Sequence, residues 1–356
     1  MDPQLEANIS SKHNSLLTFK DNINKQMFRT KWVTDGDHNT KFYNCLQIII
    51  KANHSLTILI NNDLIIDSEE TIIDHVTSYF YNIFNGLDIN IDLKPDIIPL
   101  MVDERDNESL LSTPLDHEIK ETIFGLKPDS APGPDGFNNG FFQKHWDIIH
   151  NDVCDIVKIF FTHGSLPHGI NAQFLTLIPK VENSSEILQF RPIYLIITIY
   201  KIITNIITNR PSPICNRIVS WNQFGFIKGS SIQDCICLAS ECTNSLNKNT
   251  RWGCVAIKLD IRKAFDTIDW NFIFKVLKNF GFNDYFIGRI KSLLRSAFIS
   301  ILINGTPRGF FNCSKVVRQG DLLSAIRFFI AEDYLSRLLN NLVDQNMLNL
   351  FKFPGI

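Results

Sequence analysis

The architecture of this chain can be worked out from Ala256-Ile-Lys-Leu-Asp-Ile-Arg-Lys-Ala-Phe-Asp266, where an apolar strand ends at a carboxylate. Alternation with a period of two places Val255, Ile257 and Leu259 on one face of that strand. Asp260 then lies where the strand ends and the chain turns toward a helix. An isolated carboxylate is costly to hold in place unless a metal cation or a Lys or Arg side chain neutralises it, and the strand-end position predicts a metal-ion site at Asp260.

The residues after this strand predict a capped helix. Thr267 and Asp269 are candidate cap residues, an apolar stripe follows them, and Gly281 ends the pattern. The stripe consists of Phe272, Ile273, Val276, Leu277 and Phe280. Farther on, two apolar runs between Phe298 and Phe311 flank Asn304-Gly305, a dipeptide that is typical of a two-residue β-hairpin turn.

Other elements follow from local patterns. A helix is predicted around Thr71 to Phe84, a short strand from Leu175 to Pro179, and a long helix from a cap at Asp321 to about Gln345. The core-facing residues of the long helix are predicted to be Ile326, Ile330, Leu338, Leu339 and Leu342. The apolar run from Ile193 to Ile207 is interrupted by polar residues, so it is predicted to be a buried helix rather than a membrane span.

Prolines mark two further features. In Ala131-Pro-Gly-Pro-Asp-Gly-Phe137, two prolines alternate with glycines, which predicts a fixed turn. In Arg210-Pro-Ser-Pro213, the prolines are expected to interrupt a helix, because proline lacks an N–H donor and clashes with the preceding turn.

Charge is spread unevenly along the 356 residues, although the formal net charge is only −2. Residues 61–121 contain 15 acidic and 3 basic residues, whereas residues 251–320 contain 12 basic and 4 acidic residues. A basic segment around Asp260 suits a metal site that handles a polyanion, because the cations can meet phosphates while the carboxylate holds the metal. The simpler interpretation of each of these cations is a solvated helix face.

The eight cysteines show no paired Cys-x-x-Cys spacing, and no secretory leader or transmembrane segment is apparent. These features predict a reduced, intracellular protein, nuclear or cytoplasmic, without a membrane partner. Cys235, Cys237 and Cys242 lack a matching second pair of ligands, so a zinc site is not expected.

Seven motifs occur in a characteristic order: Lys31-Trp-Val-Thr-Asp-Gly-Asp-His-Asn-Thr-Lys-Phe42, Ala131 to Phe137, Leu177-Ile-Pro-Lys180, Phe190-Arg-Pro-Ile193, Gly225-Phe226, Ala256 to Asp266, and Arg318-Gln-Gly-Asp321. Together they resemble the reverse transcriptase of non-LTR (LINE-type) retrotransposons, most closely those common in plant genomes. The resemblance implies an α+β fold with the fingers and an incomplete palm of a right-hand polymerase, and no thumb. It divides the chain into a largely helical connector (1–110), fingers with the start of the palm (111–250), and a truncated palm core with a returning fingers segment (251–356).

The resemblance also implies roles for particular residues. Asp260 matches a catalytic aspartate, and Mg²⁺ would be held by its carboxylate and by the backbone carbonyl of Ile261. The implied nucleotide-binding residues are Lys180, Arg191, Phe265, Gln319 and Gly320; the implied nucleic-acid-binding residues are Arg262, Lys263 and Arg318. Phe265 would close the sugar pocket against a 2′-hydroxyl and so select deoxynucleoside triphosphates. The implied partners are an RNA template and a DNA primer.

The sequence lacks one motif that the catalytic site of this family requires. The family has a second acidic pair in a turn of the form Phe- or Tyr-x-Asp-Asp, and the 356 residues contain no Asp-Asp dipeptide. The sequence ends at Phe353-Pro-Gly-Ile356, before the expected position of that turn. Weak or absent polymerisation is therefore expected, and two alternatives stay open: a non-catalytic nucleic-acid-binding remnant, or a pseudogene product that does not fold stably.

Overall fold

A computed structural model of the chain describes residue 4 and residues 10–13, 15–16, 55–85, 93–167, 169–218, 231–246, 268–313 and 323–348. The strands are β1 (Leu59–Asn61), β2 (Leu64–Ile66), β3 (Ala172–Pro179), β4 (Phe190–Ile196), β5 (Phe298–Ile303) and β6 (Thr306–Asn312). The helices are α1 (Glu69–Phe84), α2 (Glu104–Leu111), α3 (Asp116–Gly125), α4 (Asn139–Lys144), α5 (Trp146–His163), α6 (Thr198–Asn209), α7 (Ser212–Ile218), α8 (Ile232–Leu246), α9 (Trp270–Phe280), α10 (Asp284–Arg295) and α11 (Leu323–Asp344). Short 3₁₀ turns lie at Pro95–Ile97 and Ile187–Gln189.

A four-stranded mixed sheet with the order β4-β3-β5-β6 organises the fold. The β3–β4 and β5–β6 pairs are antiparallel, and β3 runs parallel to β5. β1 and β2 form a separate hairpin that is tied to the sheet region by a hydrogen bond from the Ile60 N–H to the Ser185 carbonyl, 2.7 Å long. The sheet therefore joins residues that lie more than a hundred positions apart in the sequence.

The two sides of this sheet differ sharply in burial. The packed side includes ten buried residues: Gln173, Leu175, Leu177, Phe190, Tyr194, Ile196, Ile299, Ile301, Ile303 and Phe311. Pro192 and Arg308, which pair with Leu177 and Ile301 on this side, are half-buried. α1 covers this side, because the Phe84 ring lies 6.4 Å from the Tyr194 ring and 6.3 Å from the Phe311 ring. The open side consists of Ala172, Phe174, Thr176, Ile178, Arg191, Ile193, Leu195, Phe298, Ser300, Leu302, Phe310 and Asn312, and none of them is buried.

Several local predictions are confirmed. α1 covers the helix predicted around Thr71 to Phe84. α9 begins after Asp269, whose carboxylate accepts hydrogen bonds from the N–H groups of Asn271 (2.7 Å) and Phe272 (3.1 Å), and it ends at Gly281 with φ of 100°. The β5–β6 turn uses positive φ at both Asn304 and Gly305, as a two-residue hairpin requires.

Two further predictions also hold. The strand predicted from Leu175 to Pro179 is part of the longer β3. The helix break at Arg210-Pro-Ser-Pro213 is confirmed as well, because α6 ends at Asn209 and α7 begins at Ser212.

The prediction of one buried helix from Ile193 to Ile207 was wrong in its first part. Residues up to Ile196 belong to β4, and α6 begins only at Thr198. A short apolar run does not by itself distinguish a buried strand from a buried helix, and here pairing with β3 fixes the strand. No helix in the described parts of the chain is both long and apolar enough to cross a bilayer.

The prediction for the long terminal helix needs a similar correction. Ile330 is buried, but Leu339 is 42% exposed, and Leu338 and Leu342 are only half-buried. α11 meets α9 through Tyr334, whose ring lies 5.5 Å from the Phe272 ring, and the residues of α11 after Arg337 are exposed or only half-buried. Asp321 and the Ile326 side chain lie outside the described residues.

The loop from Ala131 to Phe137 forms the predicted turn and braces the junction of β4 and α6. The Lys201 ammonium donates a hydrogen bond to the Ala131 carbonyl (3.3 Å), and the Thr198 hydroxyl donates one to the Phe137 carbonyl (3.3 Å). Burial lowers the pKa of Lys201 and raises the pKa of Asp135 within this loop. The loop thus holds the end of the strand that carries Arg191.

Gly133 has the closest backbone neighbours in this loop, and we expect Gly133→Ala to destabilise the protein. A Cβ at this position would lie 2.5 Å from the Ile197 nitrogen and 2.7 Å from the Ile196 carbonyl carbon, so the backbone would have to move. Overpacking of this kind costs about 1–3 kcal/mol. Urea unfolding followed by circular dichroism would measure the loss.

Gly125→Ala is the matched control for this substitution. A Cβ at Gly125 would have no atom within 4 Å. Replacing a glycine where there is room and no strain tends to stabilise slightly through the unfolded state. Equal unfolding midpoints for the two variants would contradict the bracing role of Gly133.

Candidate nucleotide-binding and catalytic site

The β3–β4 hairpin positions two of the predicted site residues, Lys180 and Arg191. Ile178 lies opposite Arg191 in the strand register, and the Lys180 N–H donates a hydrogen bond to the Gln189 carbonyl (2.8 Å), which extends the pairing by one residue. Side chains two residues apart on a strand point to the same side, so Lys180 shares the open side with Ile178 and Arg191. Such a diagonal pair has Cβ atoms roughly 7–8 Å apart, within reach of one phosphate chain.

Both cations are exposed and keep their charge available. The Lys180 ammonium donates to the Leu188 carbonyl (2.7 Å), a neutral acceptor that leaves its positive charge uncompensated. Within the described parts of the chain, Arg191 has neither an ion pair nor a hydrogen bond from its guanidinium. The planar guanidinium of Arg191 beside the mobile ammonium of Lys180 can bind a triphosphate through charge-assisted hydrogen bonds.

Four other described arginines are neutralised by carboxylates within the fold. The ion pairs are Arg210–Glu118, Arg217–Asp106, Arg308–Glu69 and Arg337–Asp333. Arg289 instead donates to the carbonyls of Leu110, Leu111 and Phe161 and lies over the Phe161 ring, and burial lowers its pKa. Arg191 therefore differs from these structural arginines, and its environment suits an external anion.

The two described ends of the segment from 268 to 313 lie close together in the fold. The first residues of this segment follow the strand motif that contains Asp260, and its last residues precede the motif that contains Gln319. Both ends line one cavity of about 240 Å³. The lining residues are Asn85, Asp269, Trp270, Asn271, Phe274, Arg295, Asn312 and Cys313.

All eight remaining predicted site residues lie outside the described residues. They are Asp260, Ile261, Arg262, Lys263, Phe265, Arg318, Gln319 and Gly320. Their roles therefore stay predictions. In the described ranges, no three His, Cys, Asp or Glu side chains cluster closely enough to hold a metal ion.

Two residues that no sequence motif marks, Arg295 and Phe310, lie at prominent positions in the structure. Arg295 lines the cavity between the two ends of the segment from 268 to 313, and Phe310 is 67% exposed on the open side. The Phe310-Phe311 pair within a predicted hairpin was a usable signal, because alternation requires one of the two rings to face away from the core.

In the described residues, a mixed sheet covered by helices on one side, with a cationic hairpin at its edge, is consistent with the fingers and palm of a nucleic-acid polymerase. Residues 178–351 match the family model described as reverse transcriptase (RNA-dependent DNA polymerase). Residues 178–351 therefore belong to a reverse transcriptase domain, and the predicted α+β fold class is confirmed.

Curated relatives of the chain are proteins of transposable elements, which supports a reverse transcriptase of the LINE type. The chain is 27% identical over 320 residues, 88% of its length, to the transposon TX1 uncharacterized 149 kDa protein of Xenopus laevis, of which it spans 24%. It is 26% identical over 212 residues, 59% of its length, to the retrovirus-related Pol polyprotein from type-2 retrotransposable element R2DM of Drosophila melanogaster, of which it spans 19%. The likeness to plant elements in particular stays a prediction.

The chain thus spans about a quarter of the length of these relatives. Reverse transcriptases as a family use divalent metal ions and act on a nucleic-acid template and primer. The particular ion, nucleotides and template of this chain are proposals.

Proposed function

We propose that the chain is the fingers and palm portion of an RNA-directed DNA polymerase that adds deoxynucleotides to a DNA 3′ end on an RNA template. The observation that carries this proposal is the placement of Lys180 and Arg191. Both cations are exposed on one side of the β3–β4 hairpin, and neither is neutralised by a described carboxylate. Within the reverse transcriptase family, that placement suits binding of the incoming triphosphate.

The proposed chemistry centres on Asp260. Its carboxylate and the Ile261 carbonyl would hold Mg²⁺, a cation that prefers oxygen ligands and that, when bound, stabilises charge on the reacting phosphate. Phe265 would pack against C2′ of the sugar. Gln319 and Gly320 would pack on the nascent base pair, and their motif follows Cys313 by only a few residues.

We also propose the division into a connector (1–110), fingers with the start of the palm (111–250), and palm core with a returning fingers segment (251–356). Support for the returning segment comes from the sheet, because β5 and β6 complete the sheet that β3 and β4 begin. Residues 55–85 of the proposed connector pack on this sheet through α1.

We propose in addition that the 356-residue chain by itself polymerises weakly or not at all. No Asp-Asp dipeptide is present to share the metal ions with Asp260. Asp333 cannot replace it, because it is buried within α11 and paired with Arg337 (2.6 Å). A single carboxylate is a poor match for the charge of two divalent ions and a triphosphate.

Primer extension on poly(A) with oligo(dT), deoxythymidine triphosphate and Mg²⁺ tests this proposal. The parent chain and Asp260→Ala should both give little or no product. Robust extension by the parent that is lost in Asp260→Ala would contradict the proposed impairment and place the catalytic role at Asp260. Robust extension by both chains would contradict the role of Asp260.

The absence of an Asp-Asp dipeptide from the sequence also favours a second candidate, a nucleic-acid-binding remnant without catalysis. Its binding to RNA or DNA would weaken with salt, because it releases counterions from the phosphates. Charge reversal at Arg262, Lys263 and Arg318 would weaken this binding, and Asp260→Ala would not. If none of the three charge reversals changed the affinity for RNA, this second candidate function would be excluded.

A further inference from the structure

The open side of the four-stranded sheet is apolar although it is not buried. Phe310 is 67% exposed and Ile178 is 39% exposed, and Phe174, Ile193 and Leu195 are only half-buried. A sheet side that faces water ordinarily alternates to polar residues. A connected apolar surface of this kind typically marks a binding site.

An aromatic pair lies at one corner of this side. The rings of Phe298 and Phe310 are stacked, with centroids 4.9 Å apart and an angle of 12° between their planes. An irregularity in the β5–β6 register, between Ile299 and Ile301, lies beside this pair. The pair presents a rigid, flat surface on which a planar group can stack.

The charged residues of the same side lie at its other end. Ala172 pairs with Phe298 and Ile178 pairs with Arg191, so six residues of β3 separate the aromatic pair from the cations. At about 3.3 Å per residue, the separation along the strand is roughly 20 Å. The side chains on the described strands of the open side include no Asp or Glu, so the charge there is purely positive.

We propose that the open side is a platform for unpaired RNA, on which a template base stacks against Phe310. The cationic end lies where the proposed function places the incoming nucleotide, and the single strand would run from there across the sheet. Aromatic rings with flanking cations bind single strands without base-pairing because every base has a stacking face. This inference rests on the proposed function and adds to it a contact with the template.

Binding of fluorescein-labelled single-stranded RNA, followed by anisotropy, tests the platform. Phe310→Ala should weaken binding about tenfold, within the range of losses seen when a stacking ring is removed. Because stacking involves no ion release, the ratio of affinities should stay constant as salt is varied. Phe310→Ala should not change the affinity for duplex RNA of the same length, because the bases of a duplex are already stacked on one another.

Two further variants make the test specific. Tyr285→Ala removes an aromatic ring that is 79% exposed on α10, and it should leave RNA affinity unchanged. Phe310→Trp keeps a stacking surface and should bind at least as tightly as the parent. This variant decides the question if the alanine variant fails to fold, since a loss of binding in Phe310→Trp would overturn the platform.

The possible failures are distinguishable. Equal RNA affinity for the parent and Phe310→Ala, combined with weaker binding after charge reversal at Arg262, Lys263 and Arg318, would overturn the platform and leave the proposed function in place. A parent chain that binds no RNA at any salt concentration would overturn both.

Discussion

Arg337→Met is expected to destabilise the protein by about 3–5 kcal/mol, because it leaves a buried carboxylate without its cation. The Asp333 carboxylate is 1% exposed, and the Arg337 guanidinium donates to it at 2.6 Å. The same guanidinium donates to the Ile218 carbonyl (2.6 Å) and lies over the Phe280 ring, 5.5 Å from its centroid. One side chain therefore ties α11 to the ends of α7 and α9. Urea unfolding of the purified chain would measure the loss.

Two controls distinguish the effect of the buried charge on the unfolding free energy from the effect of losing a side chain. Lys278→Met removes the cation of an exposed pair, Lys278–Asp284, and should change the unfolding free energy little because solvent screens that pair. Adding Asp333→Asn to Arg337→Met also removes the buried negative charge and should recover part of the lost stability. The explanation fails if Arg337→Met costs no more than Lys278→Met, or if the double variant is as unstable as the single one.

Elements set by neighbouring residues could be predicted from the sequence. α9 has both of its ends encoded locally, by the Asp269 cap and by Gly281, and the β5–β6 turn is encoded by Asn304-Gly305. Local signals of this kind depend on backbone hydrogen bonds and φ preferences within a few residues. They are therefore visible without knowledge of the tertiary structure.

The sheet order and the burial of its two sides could not be predicted in the same way. β3 and β5 pair in parallel although more than a hundred residues separate them, and nothing local specifies that contact. The strand from Ile193 to Ile196 was assigned to a helix because its partner strand was not known. The exposure of Phe310 has the same origin, since which ring of the Phe310-Phe311 pair faces α1 depends on the register with β5.

The candidate site was predicted only through the family motifs. Lys180 and Arg191 were selected by their motif context, and the structure adds that they share one side of a hairpin. Arg295 was not selected, because nothing in its sequence neighbourhood distinguishes it from an ordinary cation at a helix C-terminus. Its place in the cavity between the two ends of the segment from 268 to 313 depends on tertiary packing.

Of the properties of the proposed site, metal affinity is expected to change most when Asp260 is replaced. Electron paramagnetic resonance can follow Mn²⁺ as a substitute for Mg²⁺ in a mixture of the chain, poly(A) annealed to oligo(dT), and a non-hydrolysable deoxythymidine triphosphate analogue. Loss of even an indirect ligand contact weakens metal binding by about 10–100-fold, so Asp260→Asn should weaken it at least tenfold. Asp284→Asn, which removes an exposed carboxylate paired with Lys278, is the matched control.

This titration tests the assignment of a polymerase site independently of turnover, which matters for a chain expected to be a weak catalyst. We expect Mn²⁺ to bind the parent and Asp284→Asn equally and to bind Asp260→Asn at least tenfold more weakly. Equal Mn²⁺ affinity of the parent and Asp260→Asn would contradict the assignment of Asp260 as the metal ligand, and with it the proposed site.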